Sequence, residues 1–456
     1  MPQPPVSYHS ISAMQLVSRL AAAMILGALP RSALSTAHAA EPCPFVKVGG
    51  TEFIKGDRPY YYIGANYWYG GILGSAGEGG DRARLARELD LLRDLGVDNL
   101  RILVGAEGPD GQYHRVTPAL QIAPGRYNDV LFDGLDFLLA EMGRRGQVAV
   151  LYLLNSWEWS GGYAQYLNWS GYGDIPYPFL PPHTWDDFKK YAVQFHGCAD
   201  CRRQFQAHVR HTLGRTNRYT GKKYTEDPAI MAWEIANEPR AFSTANIPAF
   251  EQWVTETAAF IKSLDSNHLV TTGMEGEKGS EGSLALFERI HADPNIDYLT
   301  MHIWPKNWRW IDLKDIPGSM AKATDNTNAY LDRHIEVARR LGKPIIVEEF
   351  GLPRDHQRFS LDDPTTCRDA YYENIFARVL EHAGRRDVLA GCNFWTFSGT
   401  GRPVPGHVFW QRGDACLGDP PQEEQGLNSV FDTDSTIALI RNYNARISKL
   451  PSSNRH

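Results

Sequence analysis

The sequence predicts an α/β fold, a (β/α)8 TIM barrel with long loops on its active face. Three observations point there. Short apolar runs alternate with amphipathic stretches until eight candidate strands are counted. The fourth and seventh runs end in acids, in Trp233-Glu234-Ile235-Ala236-Asn237-Glu238-Pro239 and Pro344-Ile345-Ile346-Val347-Glu348-Glu349-Phe350-Gly351. Glycine turns precede several runs, as at Asp94-Leu95-Gly96 and Gly342-Lys343-Pro344, and helix-to-strand loops commonly end this way.

Taken in order, the strands are expected at Tyr60–Tyr67, Asn99–Val104, Val148–Asn155, Ile230–Asn237, Leu269–Met274, Asp297–Trp304, Pro344–Gly351 and Leu389–Phe397. Helical patterns lie between them at Asp81–Leu95, Asp129–Met142, Pro248–Leu264, Asn328–Leu341 and Ala370–His382, and Thr436–Leu450 closes the series. In Pro248–Leu264, the residues Phe250, Trp253, Val254, Ala258 and Ile261 recur at the spacing of one buried helix face. The stretch from the third to the fourth strand is by far the longest, and Ser156–Trp185 within it is dense in Trp, Tyr, Pro and Gly. Two readings stand for it: an irregular loop packed by its own aromatics, or one wall of a substrate cleft. A long loop on the active face of a barrel favours the wall. No linker or repeat interrupts the pattern, so residues 40–456 are expected to form one catalytic domain.

Residues 1–39 read as a signal peptide. Arg19 precedes the apolar stretch Leu20–Leu29, and Ala37-His38-Ala39 fits signal-peptidase cleavage before Ala40. Met14 is an alternative start. The apolar stretch is too short for a permanent span, so the chain is expected to be secreted, extracellular or periplasmic, with no membrane attachment after cleavage. Export places the six cysteines in an oxidising compartment, where disulfides persist. Cys198-Ala-Asp-Cys201 then favours a local disulfide over free thiols, and over half a zinc site, because no second CxxC or His pair completes a ligand set. Cys392, inside a strand, is expected to be a buried free thiol.

A chain of 456 residues, 43% hydrophobic and with net charge −6, can bury a large core and shows no basic run to hold nucleic acid. It is read as a monomer. Its 12 Trp serve core packing or offer flat platforms for sugar rings, and composition does not choose between these. The acids are more telling. Active groups of such barrels come from the C-terminal strand ends, which is where Asn237-Glu238, His302, Trp304 and Glu348-Glu349 fall. Two carboxyls on neighbouring strand tips suit glycosidic cleavage: one is protonated and donates to the leaving oxygen, the other is ionised and attacks the sugar. Alternation along a strand lets only one of Glu348 and Glu349 enter the site, and pattern alone leaves that open. Glu234 reads as a buried structural acid.

Several stretches resemble glycoside hydrolase family 5, and within it the endo-β-1,4-mannanases. They are Tyr62-Ile63-Gly64-Ala65-Asn66-Tyr67-Trp68-Tyr69-Gly70, Leu100-Arg101-Ile102, Leu154-Asn155-Ser156-Trp157-Glu158-Trp159-Ser160-Gly161-Gly162, the Asn237-Glu238-Pro239 segment, His302-Ile303-Trp304-Pro305-Lys306-Asn307-Trp308, the Glu349-Phe350-Gly351 segment and Phe394-Trp395-Thr396-Phe397. Gly418-Asp419-Pro420-Pro421-Gln422-Glu423-Glu424-Gln425-Gly426-Leu427-Asn428-Ser429-Val430 looks like bacterial members. The resemblance spans nearly all of residues 40–456.

It implies hydrolysis of β-mannan-type polysaccharide by double displacement, with Glu238 as acid/base and Glu349, the acid just before Phe350-Gly351, as nucleophile. Retention implies carboxyls roughly 5–5.5 Å apart. Asn237 would hold the sugar 2-hydroxyl, Arg101 would orient and hold Glu349 ionised, His302 would stand beside the acid, and Trp395 would form the floor under the cleaved sugar. Asn155 and Trp157, from the third-strand stretch, belong to the same substrate-binding set. Trp68, Trp157, Trp159 and Trp308 are candidate stacking platforms, with core packing as the alternative. The family often has Tyr where this chain has Trp304. An indole N–H donates but exchanges no proton, so only proximity carries over. No metal or other cofactor is expected. An endoglucanase, an exo-acting mannobiohydrolase and a non-catalytic polysaccharide-binding barrel remain as alternatives.

Overall fold

The computed structural model describes residues 44–451 except 113 and 358; the expected signal peptide lies outside the described residues. Among the described residues, eight parallel strands alternate with helices. The strands are β1 (Tyr62–Asn66), β2 (Asn99–Leu103), β3 (Val148–Tyr152), β4 (Ile230–Glu234), β5 (Leu269–Thr271), β6 (Leu299–Ile303), β7 (Ile345–Phe350) and β8 (Leu389–Phe394). The helices that follow them in turn are α1 (Arg82–Asp94), α2 (Asp129–Arg144), α3 (Ala199–Leu213), α4 (Ile247–Leu264), α5 (Leu284–His291), α6 (Ile316–Leu341), α7 (Thr366–Arg385) and α8 (Thr436–Ile447).

Ladder pairing runs β5-β4-β3-β2-β1-β8-β7-β6, and shorter-range bonds join the β5 and β6 ends. Asp297 N–H donates to Val270 O at 2.8 Å and Thr271 Oγ1 to Tyr298 O at 2.9 Å, which closes the barrel. Runs such as Val148–Tyr152 and Ile345–Phe350 are buried throughout because helices cover the outside and side chains fill the inside. A small antiparallel sheet, Val46–Gly49, Glu52–Lys55 and Arg58–Tyr60, packs at the other end through Phe53, whose ring lies 5.1 Å from that of Tyr298.

The helices begin and end where local chemistry dictates. Asp81 accepts from Arg84 N–H to cap α1, Asn128 caps α2, and Asp315 caps α6. Gly342 ends α6 with φ of 65°, a left-handed geometry that glycine adopts without a Cβ clash. The stripe Phe250, Trp253, Val254, Ala258 and Ile261 is buried as expected. The expected strands overran the ladders at their C-terminal ends, because the apolar pattern continues into the tips where the chain leaves the sheet. Helix α6 starts at Ile316, well before the expected Asn328. Cys198 and Cys201 form a disulfide at the start of α3, and Cys367, Cys392 and Cys416 are buried free thiols. No helix of the described residues is long and apolar enough to cross a membrane.

Candidate active site

Arg101, on β2 inside the barrel, is fully buried and organises the strand ends around it. Its Nε and Nη2 form a fork on Glu234 of β4 at 2.8 and 2.5 Å. Nη2 also donates to Asn237 Oδ1 at 2.8 Å, and Nη1 to Asn66 Oδ1 at 3.1 Å and to Glu349 Oε1. A buried guanidinium with this many charged partners fixes each of them in one orientation. Arg101 thus joins Glu234 and Glu349 through one buried guanidinium.

Glu348 and Glu349 do not divide between faces as strand alternation predicts. Pairing steps from Met301↔Val347 to His302↔Glu349, so Glu348 is an extra residue in β7. Such a bulge turns two consecutive side chains the same way. Glu348 Oε2 lies 3.5 Å from His302 Nε2 and 3.8 Å from Arg101 Nε, fully buried. Glu349 meets the same two partners nearer the mouth, with Oε2 3.3 Å from His302 Nδ1. The idea that only one of the two faces inward is therefore corrected: both do, at different depths.

Glu238 stands just past β4 with a left-handed backbone, φ 49°, which is strained for a residue with a side chain. Its N–H donates to Gly273 O at 3.0 Å, and its carbonyl accepts from Ser156 Oγ. Its carboxyl accepts from Trp157 Nε1 through Oε2 and lies 2.9 Å from His302 Nδ1 through Oε1. One oxygen of Glu238, one of Glu349 and a ring nitrogen of His302 all lie within 4.8 Å of one another.

Burial disfavours charge on Glu349, but the His302 charge and then Arg101 outweigh it and hold the carboxyl below its ordinary range. Burial likewise disfavours charge on His302, and Glu349, with hydrogen bonds to Glu238, Glu348 and Glu349, overrides it and pushes the imidazole well above its usual value. The three groups are close enough to chelate a cation. A metal would need His302 neutral, and these carboxylates favour the protonated ring.

Around this centre the predicted residues take different stations. Asn237 Nδ2 donates to Asn155 Oδ1 at 3.1 Å, and Asn155 is itself fixed by Ser160, so Asn155 holds Asn237 from the neighbouring strand tip. Trp395 and Trp304 pack edge-on, ring centres 6.1 Å apart. Trp304 brings no hydroxyl; Glu349 accepts from Arg101 Nη1, and His302 Nδ1 lies 3.3 Å from its other oxygen. Trp68 is buried, its indole donating to Gly418 O at 2.6 Å, and Trp159 lies buried between Trp68 and Trp395. Trp157 is half-exposed and meets Trp185 and Phe242 edge-on. Trp308 meets Trp310 edge-on and Tyr330 at a tilt.

Sequence reasoning missed three groups. Arg240 lies 5.2 Å over the Trp157 ring and bonds Glu275 at 2.6 Å, so Glu275 is buried in an ion pair beside Glu238. Asn66, which accepts from Arg101 Nη1 at 3.1 Å, carries no sequence signal beyond its place in the first-strand stretch. The aromatic-rich insertion after β3 contains helices at Gly162–Trp169 and Trp185–Ala192, and its outer rim exposes Phe179 and Trp185 with ring centres 5.5 Å apart.

The family description "GH family 5 beta-mannosidase-like" matches residues 43–452. The chain belongs to glycoside hydrolase family 5. This family 5 enzyme is 32% identical over 417 residues to mannan endo-1,4-beta-mannosidase 7 of Arabidopsis thaliana, with 88% of each chain covered. It is 30% identical to mannan endo-1,4-beta-mannosidase 1 of Oryza sativa subsp. japonica, with 83% of each covered. A crystal structure of a glycoside hydrolase family 5 mannosidase from Rhizomucor miehei is 36% identical and superposes with a TM-score of 0.82, covering 90% of this chain and 99% of that one.

Proposed function

We propose that this hydrolase cleaves β-1,4-linked mannan, glucomannan or galactomannan with retention, Glu349 attacking the anomeric carbon and Glu238 serving as acid and then base. The observation that carries this is the carboxyl pair whose oxygens approach within 4.8 Å, close to the spacing of retaining enzymes at roughly 5–5.5 Å. The two carboxyls have different partners. Glu349 is held ionised by Arg101 and His302. Glu238 accepts the Trp157 N–H on one oxygen and shares the His302 Nδ1 region with Glu349 on the other, so a proton there sits between the two carboxyls. Asn237, fixed by Arg101 and Asn155, is suited to the 2-hydroxyl of the reacting sugar, and Trp395 to its face.

The names of the plant relatives support mannan as substrate and internal cleavage as the mode. A second reading, attack from a chain end, draws on a specific contact among the loops. His114, after β2, lies 5.4 Å from the Phe179 ring and 4.6 Å from the Phe409 ring, and its Nδ1 is 2.9 Å from Pro421 O. Three active-face loops thus join on one side of the mouth. Viscometry of galactomannan decides: internal cuts collapse viscosity before much sugar is released, whereas slow loss with mannose or mannobiose as sole early product supports end attack. Nuclear magnetic resonance of the first product tests retention, and an α-anomer appearing first would sink the double-displacement reading. We also propose export of residues 40–456 as a monomer, which N-terminal sequencing and sedimentation of protein recovered from outside the cytoplasm would check.

A further inference from the structure

The segment Gly418–Val430 resembles family members, yet the chemistry above gives it no role. It folds into an arm held together by its own hydrogen bonds. Asp419 is its hub, accepting from the N–H groups of Gly426, Asn428 and Ser429 at 2.9, 2.8 and 3.2 Å and from the Ser429 hydroxyl at 2.5 Å. Gln425 Nε2 donates to the carbonyls of Asp419, Pro420 and Glu423. Gly418 anchors the arm through Ser398 and Trp68. Across the mouth Glu424 faces Lys306 at 3.9 Å.

At the tip of this arm, Glu423 carries a buried carboxyl oxygen, Oε2, with no hydrogen-bond partner. Its charged neighbours are Asp419, Lys306, Glu349 and Glu424, so it stands on the nucleophile's side of the site. Independently, Trp395 is 4% exposed and its Nε1 has no partner either. An unpaired buried polar atom is costly, and an arm that keeps one beside a catalytic centre is built to meet a ligand group.

We propose that Glu423 is a specificity-determining residue, hydrogen-bonding a hydroxyl of the sugar seated over Trp395. This rests on the mannoside-hydrolase reading above. Burial, and then the charge of Asp419, push the Glu423 carboxyl up to about 8, with Lys306 opposing. A protonated carboxyl both donates and accepts, as a sugar hydroxyl does. The same arm that seats Glu423 also meets His114, so recognition of the hydroxyl and closure of that side of the mouth are mechanically linked.

The test is a cycle between protein and substrate. Glu423→Leu and Glu423→Ala are assayed on an aryl β-mannoside and on its 2-, 3-, 4- and 6-deoxy analogues, with melting curves for each variant. Either variant should lower kcat/KM on the parent about 10- to 100-fold, because a site left with an unpaired group discriminates strongly. One deoxy analogue should lose as much with wild type, yet lose nothing further with the variant. Glu423→Gln, which keeps a donor and an acceptor, should recover most of the activity. Wild-type-like kcat/KM, or losses that multiply for every deoxy analogue, overturns the assignment. So does failure of both truncations to fold, since that makes Glu423 a support of the arm. If wild type cleaves no β-mannoside, the functional reading fails instead, and the two failures are distinct.

Discussion

Arg101→Met is the sharpest perturbation of this site. The change keeps an unbranched apolar stem and deletes a guanidinium that is fully buried and bonded to Glu234, Asn237, Asn66 and Glu349. Leaving one partner of a buried ion pair alone costs about 3–5 kcal/mol, and here two carboxylates lose their cation. A clear drop in melting temperature is expected. Activity should fall further than stability alone explains. Loss of one preorganised electrostatic contact at a reacting group costs about 10²–10³ in kcat, and Glu349 would lose both charge support and orientation. The sign of the pH effect follows from the site. Arg101 and His302 hold Glu349 below its ordinary range, so removing Arg101 raises it and moves the acid limb of the kcat/KM profile to higher pH. Arg101→Lys keeps a charge without the fork and should fall between the two. The assay is kcat/KM for an aryl β-mannobioside against pH, with melts at each pH. A variant within a few-fold of wild type, or one whose acid limb does not move, refutes Arg101 as the holder of the nucleophile.

Four further outcomes are expected. Glu349→Ala should abolish hydrolysis with the fold intact while Glu348→Ala loses much less; the reverse ranking by initial rates reverses the assignment. Glu238→Ala should still react with a substrate bearing a very good leaving group, and azide should restore turnover as the β-mannosyl azide, because neither step then needs a proton donor or general base; the α-azide, or no rescue, counts against the acid/base role. His302 is held charged well above its usual range, so its stabilisation is full below the unfolded histidine value of about 6.5 and is lost as pH rises through the folded value; denaturant melts of His302→Asn should lack that alkaline decline, and equal slopes would refute it. Mass spectrometry of non-reduced protein should find Cys198 joined to Cys201, and two alkylatable thiols at these positions would remove the bond.

The barrel was legible because it is written in period. Buried parallel strands are continuous apolar runs, and helices show one apolar face, so order and number could be read before any contact was known. Glu238 and Glu349 were legible for a related reason: an acid at the end of an apolar run is costly unless the tip has work for it. What escaped depends on partners distant in sequence. The bulge at Glu348 arises from pairing with β6, and no local pattern along β7 signals it. The ion pair of Glu275 is invisible locally because Arg240, its partner, comes from the loop after β4. Trp68 and Trp157 look alike in sequence, yet one is sealed beneath the arm by Gly418 while the other reaches the acid.

The loops set a harder limit, and it bears on function. Whether a retaining barrel cuts inside a chain or at its end depends on whether the cleft is open at both sides. That is decided by contacts such as His114 with Phe179 and Phe409, made by single residues from three separate loops. None of these carries a periodic signal, and each loop is polar and glycine-rich enough to adopt many courses alone. The catalytic pair, by contrast, is fixed by strand ends whose register the core enforces. Chemistry and mode of attack are therefore encoded in different layers of the fold. A substitution in the arm, such as Glu423→Leu, should alter sugar recognition and the length preference together while the stereochemical outcome stays unchanged. A change in the core, such as Arg101→Met, should depress every substrate alike.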